Sequence, residues 1–395
     1  MHTIKTLTGQ NYKNLRIIIL DNNSSDKTNT LIKSIKDKRI KYYRSKKNLS
    51  MKDNWERCFK CIHEGYTTII GDDDGFLPNV FEKLNYILST NKIKIFTWVQ
   101  TDYFWKNFKE KSNFANIRIV DNREKILKRI KSETILNKIL GMKILYTESP
   151  MIYNSFIKTS VLKKIKNKKK KFFSSGIPDV YSGFLMLLEF KYFYKLNIPI
   201  TINGISSNSG GALISKKGKS RSDIIKNHKL AEIKLVPPIP SYYLGIIDPF
   251  LILSREYRKK CEKFLINYFY LRSRVLYEIR RENIKDYNIY VNDLDAFIDN
   301  LKLKYSFIQK IKIFLQIFSF EKYEIDKILT IKMLNKVKNI YVASLYIDKK
   351  YSQLTNRDSK IYFKKNKSTQ IINFIKKTGF YNLAYTFRNF NKIFN

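Results

Sequence analysis

The sequence predicts an α/β fold: a mainly parallel sheet flanked by helices, followed by a mostly α-helical region. Three observations predict it. Short apolar runs alternate with helical patterns over the first hundred residues, as in a sheet covered by helices. Two of the predicted strands, ending near residues 20 and 70, run into acidic turns at 21–26 and 72–74. From about residue 250 onward Gly and Pro are sparse and the chain reads as helix.

Residues 15–20, Leu-Arg-Ile-Ile-Ile-Leu, read as a buried strand, and the Asp-Asn-Asn-Ser-Ser-Asp run that ends it supplies turn formers and a helix cap. Residues 27–36 read as a helix, with Leu31, Ile32 and Ile35 on one face, and 40–43 as a short strand. A second helix is expected over 52–63, a buried strand over 67–70, a helix over 79–89 and a strand over 93–99. Residues 100–147 are mixed and basic and read as mainly helical. Beyond them come a strand near 151–156, a helix near 159–166, a lysine run from Lys163 to Lys171, a helix over 179–194 and a strand over 198–202. Residues 205–222 read as a Ser/Gly/Lys-rich loop. The prolines at 237, 238 and 240 mark an extended segment, not a membrane-spanning helix. Near the C-terminus Leu383, Phe387, Phe390 and Phe394 form a helical stripe, suited to packing or to a membrane interface.

Lys and Arg number 76 against 34 Asp and Glu, a net charge of +42. The excess is spread along the chain and lysine-dominated, whereas a sequence-reading nucleic-acid surface clusters its charge and favours arginine. Sequence-specific nucleic acid is therefore not an expected partner, and an anionic membrane surface or a phosphorylated substrate fits better. Three cysteines make no disulfide framework, and Cys58 and Cys61 read as packed thiols. Three histidines cannot build a His-rich metal site. The polar N-terminus shows no signal peptide, so a cytoplasmic protein, peripheral on the inner face of a membrane, is expected.

Chemistry concentrates in a few places. Asp72, Asp73 and Asp74 stand side by side at a strand end, where their mutual repulsion is tolerable if a cation neutralises it. Mg²⁺ or Mn²⁺ accepts such oxygen ligands together with substrate phosphates. Asp21, Asn22 and Asn23 offer hydrogen bonds to a base or ribose. Pro178 followed by Asp179 puts a carboxylate at a helix entry, where it suits a general base. Each feature alone is also compatible with an ordinary solvated turn or helix cap.

Together these segments resemble family 2 glycosyltransferases. The run from Gln10 through Asp21, Asp26 and Thr28 is similar to the family's Q-x-Y-x-N, apolar strand and D-N-x-S-x-D-x-T text. Asn48, Asn54-Trp55-Glu56 and the stretch from Gly71 to Pro78 resemble the later part of the same module. The resemblance is specific over 5–90, weaker over 148–215 and absent after 235. It implies a GT-A fold and an inverting, metal-dependent transfer of sugar from a nucleotide-diphospho-sugar, with UDP the most frequent nucleotide. It gives Asp21, Asn22, Asn23, Asn54 and Asp72 to the donor, Asp73 and Asp74 to Mg²⁺ or Mn²⁺, and Asp179 to the base. The register within 72–74 stays open: literal D-x-D spacing gives Asp72 and Asp74, while spacing from Pro78 favours Asp73. The family's first strand has no counterpart, because Met1 falls inside the helix that precedes Q-x-Y. The expected domains are 1–235, GT-A-type without that strand, and 236–395, α-helical. The expected acceptor is a glycan or lipid-linked glycan of a bacterial surface polysaccharide. The rival readings are a catalytically impaired sugar-nucleotide-binding module and an anionic-membrane-surface binder.

Overall fold

The computed structural model describes residues 1–90, 92–106, 116–120, 126–206, 221–230, 232–281, 286–318, 328–332, 337, 339–354 and 362–363. Met1–Ile361 forms one compact unit and Tyr362–Asn395 a second, of which only the two-residue strand Tyr362–Phe363 is described.

The first unit opens with α1 (His2–Thr8), β1 (Ile17–Asp21), α2 (Thr28–Lys33), β2 (Ile40–Arg44) and α3 (Met51–Glu56), the last running into a 3-10 turn over Arg57–Lys60. Ser50 caps α3 by accepting from the Asp53 amide, which satisfies one of the helix's free donors. β1 and β2 pair in parallel across the α2 crossover, with Asp21 opposite Arg44. Next come β3 (Tyr66–Thr67), β4 (Gly75–Phe76), α4 (Val80–Thr90), β5 (Ile95–Trp98) and β6 (Thr101–Phe104). The chain continues through β7 (Asn116–Val120), β8 (Ile126–Lys131), α5 (Ser132–Leu140), β9 (Ser155–Lys158), α6 (Thr159–Asn167), α7 (Pro178–Glu189), β10 (Tyr192–Leu196) and β11 (Thr201–Ile205).

The α/β class predicted from the sequence holds, as a GT-A-like arrangement of sheets flanked by helices. The pairing is mixed, not mainly parallel. One sheet runs β8-β10-β5-β9-β3, with only β10 and β5 parallel. The other runs β12-β7-β6-β11-β4, where β12 is Ile328–Lys332 and only β11 and β6 are parallel. Two of the antiparallel strands, β7 and β8, come from the segment expected to be helical, 100–147. In β7 Ile117 and Ile119 alternate with Arg118, β8 mixes Ile126, Leu127 and Ile130 with Lys and Arg, and Ile117 and Leu127 are buried. The helix expected over 179–194 stops at Glu189, since Tyr-Phe-Tyr-Lys-Leu supplies β10 with aromatic residues that suit a central strand.

The helical region holds α8 (Arg221–Leu230), α9 (Tyr242–Glu256), α10 (Arg258–Cys261), α11 (Tyr268–Arg281), α12 (Tyr287–Leu303), α13 (Phe307–Phe318) and α14 (Ile340–Leu354). Among the described residues no helix is long and apolar enough to cross a membrane. The aromatic stripe at 383–394 lies outside the described residues, as does most of the loop expected over 205–222. Cys58, Cys61 and Cys261 are buried free thiols, as expected for the first two.

Two cores form. The larger collects the inner faces of α5, α6, α7, α9, α11 and α12. The smaller gathers Phe76, Leu84, Phe96, Trp98, Tyr103 and Ile202 around β4, β5, β6 and β11, and is closed by Ile340, Ala343 and Ile347 of α14. The N-terminal helix is clasped from outside by Arg39. Its guanidinium donates to the carbonyls of Thr8 at 2.7 Å, Gln10 at 2.8 Å and Tyr12 at 3.1 Å, and is held flat by Asp37. Arg39→Ala leaves three carbonyls and a carboxylate without this donor, and a loss of about 2–4 kcal/mol is expected in urea unfolding. Arg39→Lys should recover less than half of it, because an ammonium cannot reproduce the fork.

Candidate active site

The acidic turn joins β3 to β4, and α1 fixes it. Thr3 Oγ1 donates to the Asp72 carbonyl at 2.5 Å, the Phe76 amide donates to Thr6 Oγ1, and the Gln10 amide bridges Leu77 and Val80. The three carboxylates then part company. Asp72 is exposed. Asp73 is partly buried; its Oδ2 accepts from Ser206 Oγ at 2.9 Å, and its carbonyl accepts from the Trp105 indole at 2.9 Å. Asp74 is buried and fully engaged: Oδ2 accepts from the Gly71 amide at 2.5 Å, and Oδ1 from the Gly204 amide and the Tyr153 hydroxyl, each at 2.8 Å. Burial, and then the charge of its neighbour, raises the pKa of both Asp73 and Asp74.

The sheet adds groups to which sequence reading gave no individual role, in the segments 100–147 and 203–211 expected to wall the acceptor. β11 pairs with β6 so that Asn203 lies opposite Asp102, and the Asn203 amide donates to Asp102 Oδ1 at 2.9 Å. The Tyr153 hydroxyl also reaches the Asn203 amide oxygen. One residue on, Gly204 lets the acidic turn lie against β11: a Cβ there would stand 1.8 Å from the Asp73 carbonyl oxygen.

Asp179 stands in the first turn of α7, directly after Pro178. Burial raises its pKa and outweighs the amides of Val180 and of its own residue, which lower it. Asp179 and Asp102 both act electrostatically on the buried hydroxyls of Tyr146 and Tyr242, whose rings meet edge to face at 5.5 Å. Asp102, Asp73 and Asp74 act in the same way on Tyr153. Asp102 is thus the carboxylate whose charge is felt by the tyrosines on both sides, those near Asp179 and the one bonded to the acidic turn. α7 is held in place by close packing at Gly183, where a Cβ would meet Ser149 Oγ at 2.4 Å, and by the Ile152 amide donating to Ser182 Oγ.

The residues expected to contact the nucleotide gather at the end of β1. Asp21 is buried; Oδ1 accepts from the Ser24 amide at 2.8 Å and hydroxyl at 2.7 Å, and Oδ2 from Tyr42. Burial pushes its pKa up, but the bonds from Tyr42 and Ser24 outweigh that and hold it below the ordinary carboxylate range. Asn22 exchanges two bonds with the backbone of Leu49. Asn54 donates to the Leu20 carbonyl and accepts from Arg57, which also reaches the Asp21 carbonyl. These side chains shape the turn, while Asn23 projects from a left-handed backbone with φ 61°. Among the described residues no set of three His, Cys, Asp or Glu converges as metal ligands.

The sheet and its acidic turn lie within a glycosyltransferase-type α/β domain. The family model that matches is that of glycosyl transferase family 2, over residues 2–157. No curated protein sequence matches. Among solved structures the chain is similar to S. aureus TarS 1–349 in complex with UDP-GlcNAc, with 12% identity, 76% of this chain and 85% of that chain covered, and a TM-score of 0.40. It is similar also to the complex of TarS 1–349 with UDP, with 11% identity, coverage of 86% and 94%, and a TM-score of 0.38.

Proposed function

We propose that the protein transfers a sugar from a nucleotide-diphospho-sugar, UDP-linked, to an acceptor hydroxyl with inversion at the anomeric carbon. The supporting observation is the hydrogen-bonded set in which Tyr153 joins Asp74 of the acidic turn to Asn203, and Asn203 joins Asp102. In this reading Asp179 takes the proton of the acceptor hydroxyl as its oxygen bonds to the anomeric carbon and the nucleotide diphosphate leaves in line. The raised pKa of Asp179 brings it nearer the operating pH, which suits a base. Asn23 and the turn built by Asp21, Asn22 and Asn54 receive the nucleoside end.

A divalent cation, Mg²⁺ or Mn²⁺, fits part of the acidic turn. Asp73, with exposed Asp72 beside it, offers carboxylate oxygen of the hard type such ions take. Asp74 does not fit as a ligand, because three donors already occupy its carboxylate. The ion would neutralise charge on the departing diphosphate. In this reading residues 1–235 carry donor and acceptor groups and 236–395 form the helical region. The acceptor is a cell-surface or lipid-linked glycan, which places the enzyme at the cytoplasmic face of a membrane.

Calorimetry with a panel of sugar nucleotides, with and without Mn²⁺, tests this. Metal-dependent binding of a UDP-sugar is expected, weakened at least tenfold in Asp73→Asn. A folded, monodisperse chain that binds no sugar nucleotide would overturn the reading.

A further inference from the structure

The helical region carries one face that its own attachment does not use. α13 is fixed to the body on one side: Ile313 is fully buried, the Asn267 amide donates to the Ile313 carbonyl at 3.4 Å and to Gln316 Oε1 at 3.3 Å, and the Gln309 amide donates to the Glu262 carbonyl. On the other side Phe307, Ile308 and Leu315 are 77%, 65% and 57% exposed, and Ile311 is exposed between them. At about 100° per residue these four positions fill an arc of roughly 100°. Lys310 and Lys312 fall just outside its two edges, about 60° and 40° away. Leu303, at the end of α12, is exposed too, with Lys302 and Lys304 on either side of it. Residues 300–320 contain no acidic residue, with Asp299 and Glu321 at their two borders.

This inverts the usual orientation of a surface helix, whose apolar stripe faces the core. Contiguous apolar surface of this kind marks an interaction site. The charges say with what. A bare apolar arc bordered by lysines and free of acids is the pattern of a helix lying in the plane of an anionic bilayer. A second copy would instead bring its own +42 net charge against the same charge. We propose that α13 is a docking surface for an anionic lipid bilayer, with Phe307, Ile308, Ile311 and Leu315 entering the headgroup boundary and Lys310 and Lys312 meeting lipid phosphates. The proposal uses no residue of the 383–394 stripe and does not rest on the transfer reaction.

The full-length chain would be sedimented with vesicles of phosphatidylcholine alone and of phosphatidylcholine mixed with phosphatidylglycerol. The wild type is expected to bind the mixed vesicles and to bind pure phosphatidylcholine much more weakly. The Phe307→Ser/Ile308→Ser/Ile311→Ser/Leu315→Ser variant should lose on the order of tenfold or more in partition, and Lys310→Gln/Lys312→Gln a similar factor that high salt erases. Circular dichroism and sugar-nucleotide binding, measured in parallel, should be unchanged because the altered side chains point away from both cores. Three results would overturn the proposal. The wild type could fail to bind mixed vesicles. The four-serine variant could bind them as well as the wild type, which would move the membrane contact elsewhere, including to 371–395. Or the wild type could form a dimer that the same variant dissolves, which would give the face to a second copy.

Discussion

Asp179→Asn is expected to lower turnover about 100- to 10,000-fold while leaving donor affinity within a few-fold, since a general base contributes that much to proton transfer and little to ground-state binding. The pH behaviour carries the diagnostic sign. Burial raises the Asp179 pKa. The acid limb of kcat/KM in the wild type should therefore lie above the ordinary carboxylate value of about 3.9. Stability runs the opposite way. A carboxyl whose folded pKa is raised stabilises the fold below its unfolded pKa, and that contribution is lost as pH rises through the folded value. The asparagine variant carries no such penalty, so its advantage in urea unfolding should be absent near pH 3 and grow as pH rises. A variant that is inactive and more stable at neutral pH marks a buried carboxylate retained for chemistry. Unchanged turnover would remove Asp179 from the base role.

Gly204→Ala is expected to damage both the fold and donor binding. The added methyl would stand 1.8 Å from the Asp73 carbonyl oxygen, 2.5 Å from its carbon and 2.8 Å from the Trp105 indole nitrogen. Two of these neighbours are backbone, so no side-chain rotation relieves the clash. Either β11 or the acidic turn must move, and with them go the Gly204 amide bond to Asp74 and the Trp105 bond to Asp73. A loss of about 3 kcal/mol or more is expected from overpacking together with a buried carboxylate deprived of a donor. Urea unfolding reads the first effect and calorimetry with a UDP-sugar the second. Wild-type behaviour in both would mean that the turn and the strand do not meet as described.

The alternation of strand and helix was legible where strands are buried on both faces. Ile17 to Leu20 is a continuous apolar run and Ile95 to Trp98 is broken only by Thr97, and no helical period fits either. β7 and β8 were not legible, because Arg and Lys stand among their apolar residues and the pair reads as a basic segment. β10 was lost in the extension of a helix whose composition it shares. The acidic turn and Asp179 stood out because carboxylates at a strand end and a helix entry are unusual. Asp102, Tyr153 and Asn203 gave no local signal; β6, β9 and β11 bring them together from positions about fifty residues apart. The division of labour among Asp72, Asp73 and Asp74 is likewise a product of the turn. Adjacent identical residues differ only in which way the backbone aims them, and that is settled by Tyr153 and Gly204, both far along the chain.

The closure of the smaller core by α14 has a consequence for how the protein is made. Ile340 lies against Gly75, Tyr103 donates to the Val337 carbonyl, and α1 packs on the same helix. Helix α1 and strands β4 and β6 therefore wait, during synthesis, for partners from beyond position 336. At typical elongation rates of about 5–20 residues per second that wait is on the order of tens of seconds. Until then the inner side of β4 and β6 is apolar surface without its cover, a natural client for chaperones during synthesis. Slowing or pausing translation ahead of residue 337 would lengthen that exposure and lower the yield of soluble enzyme.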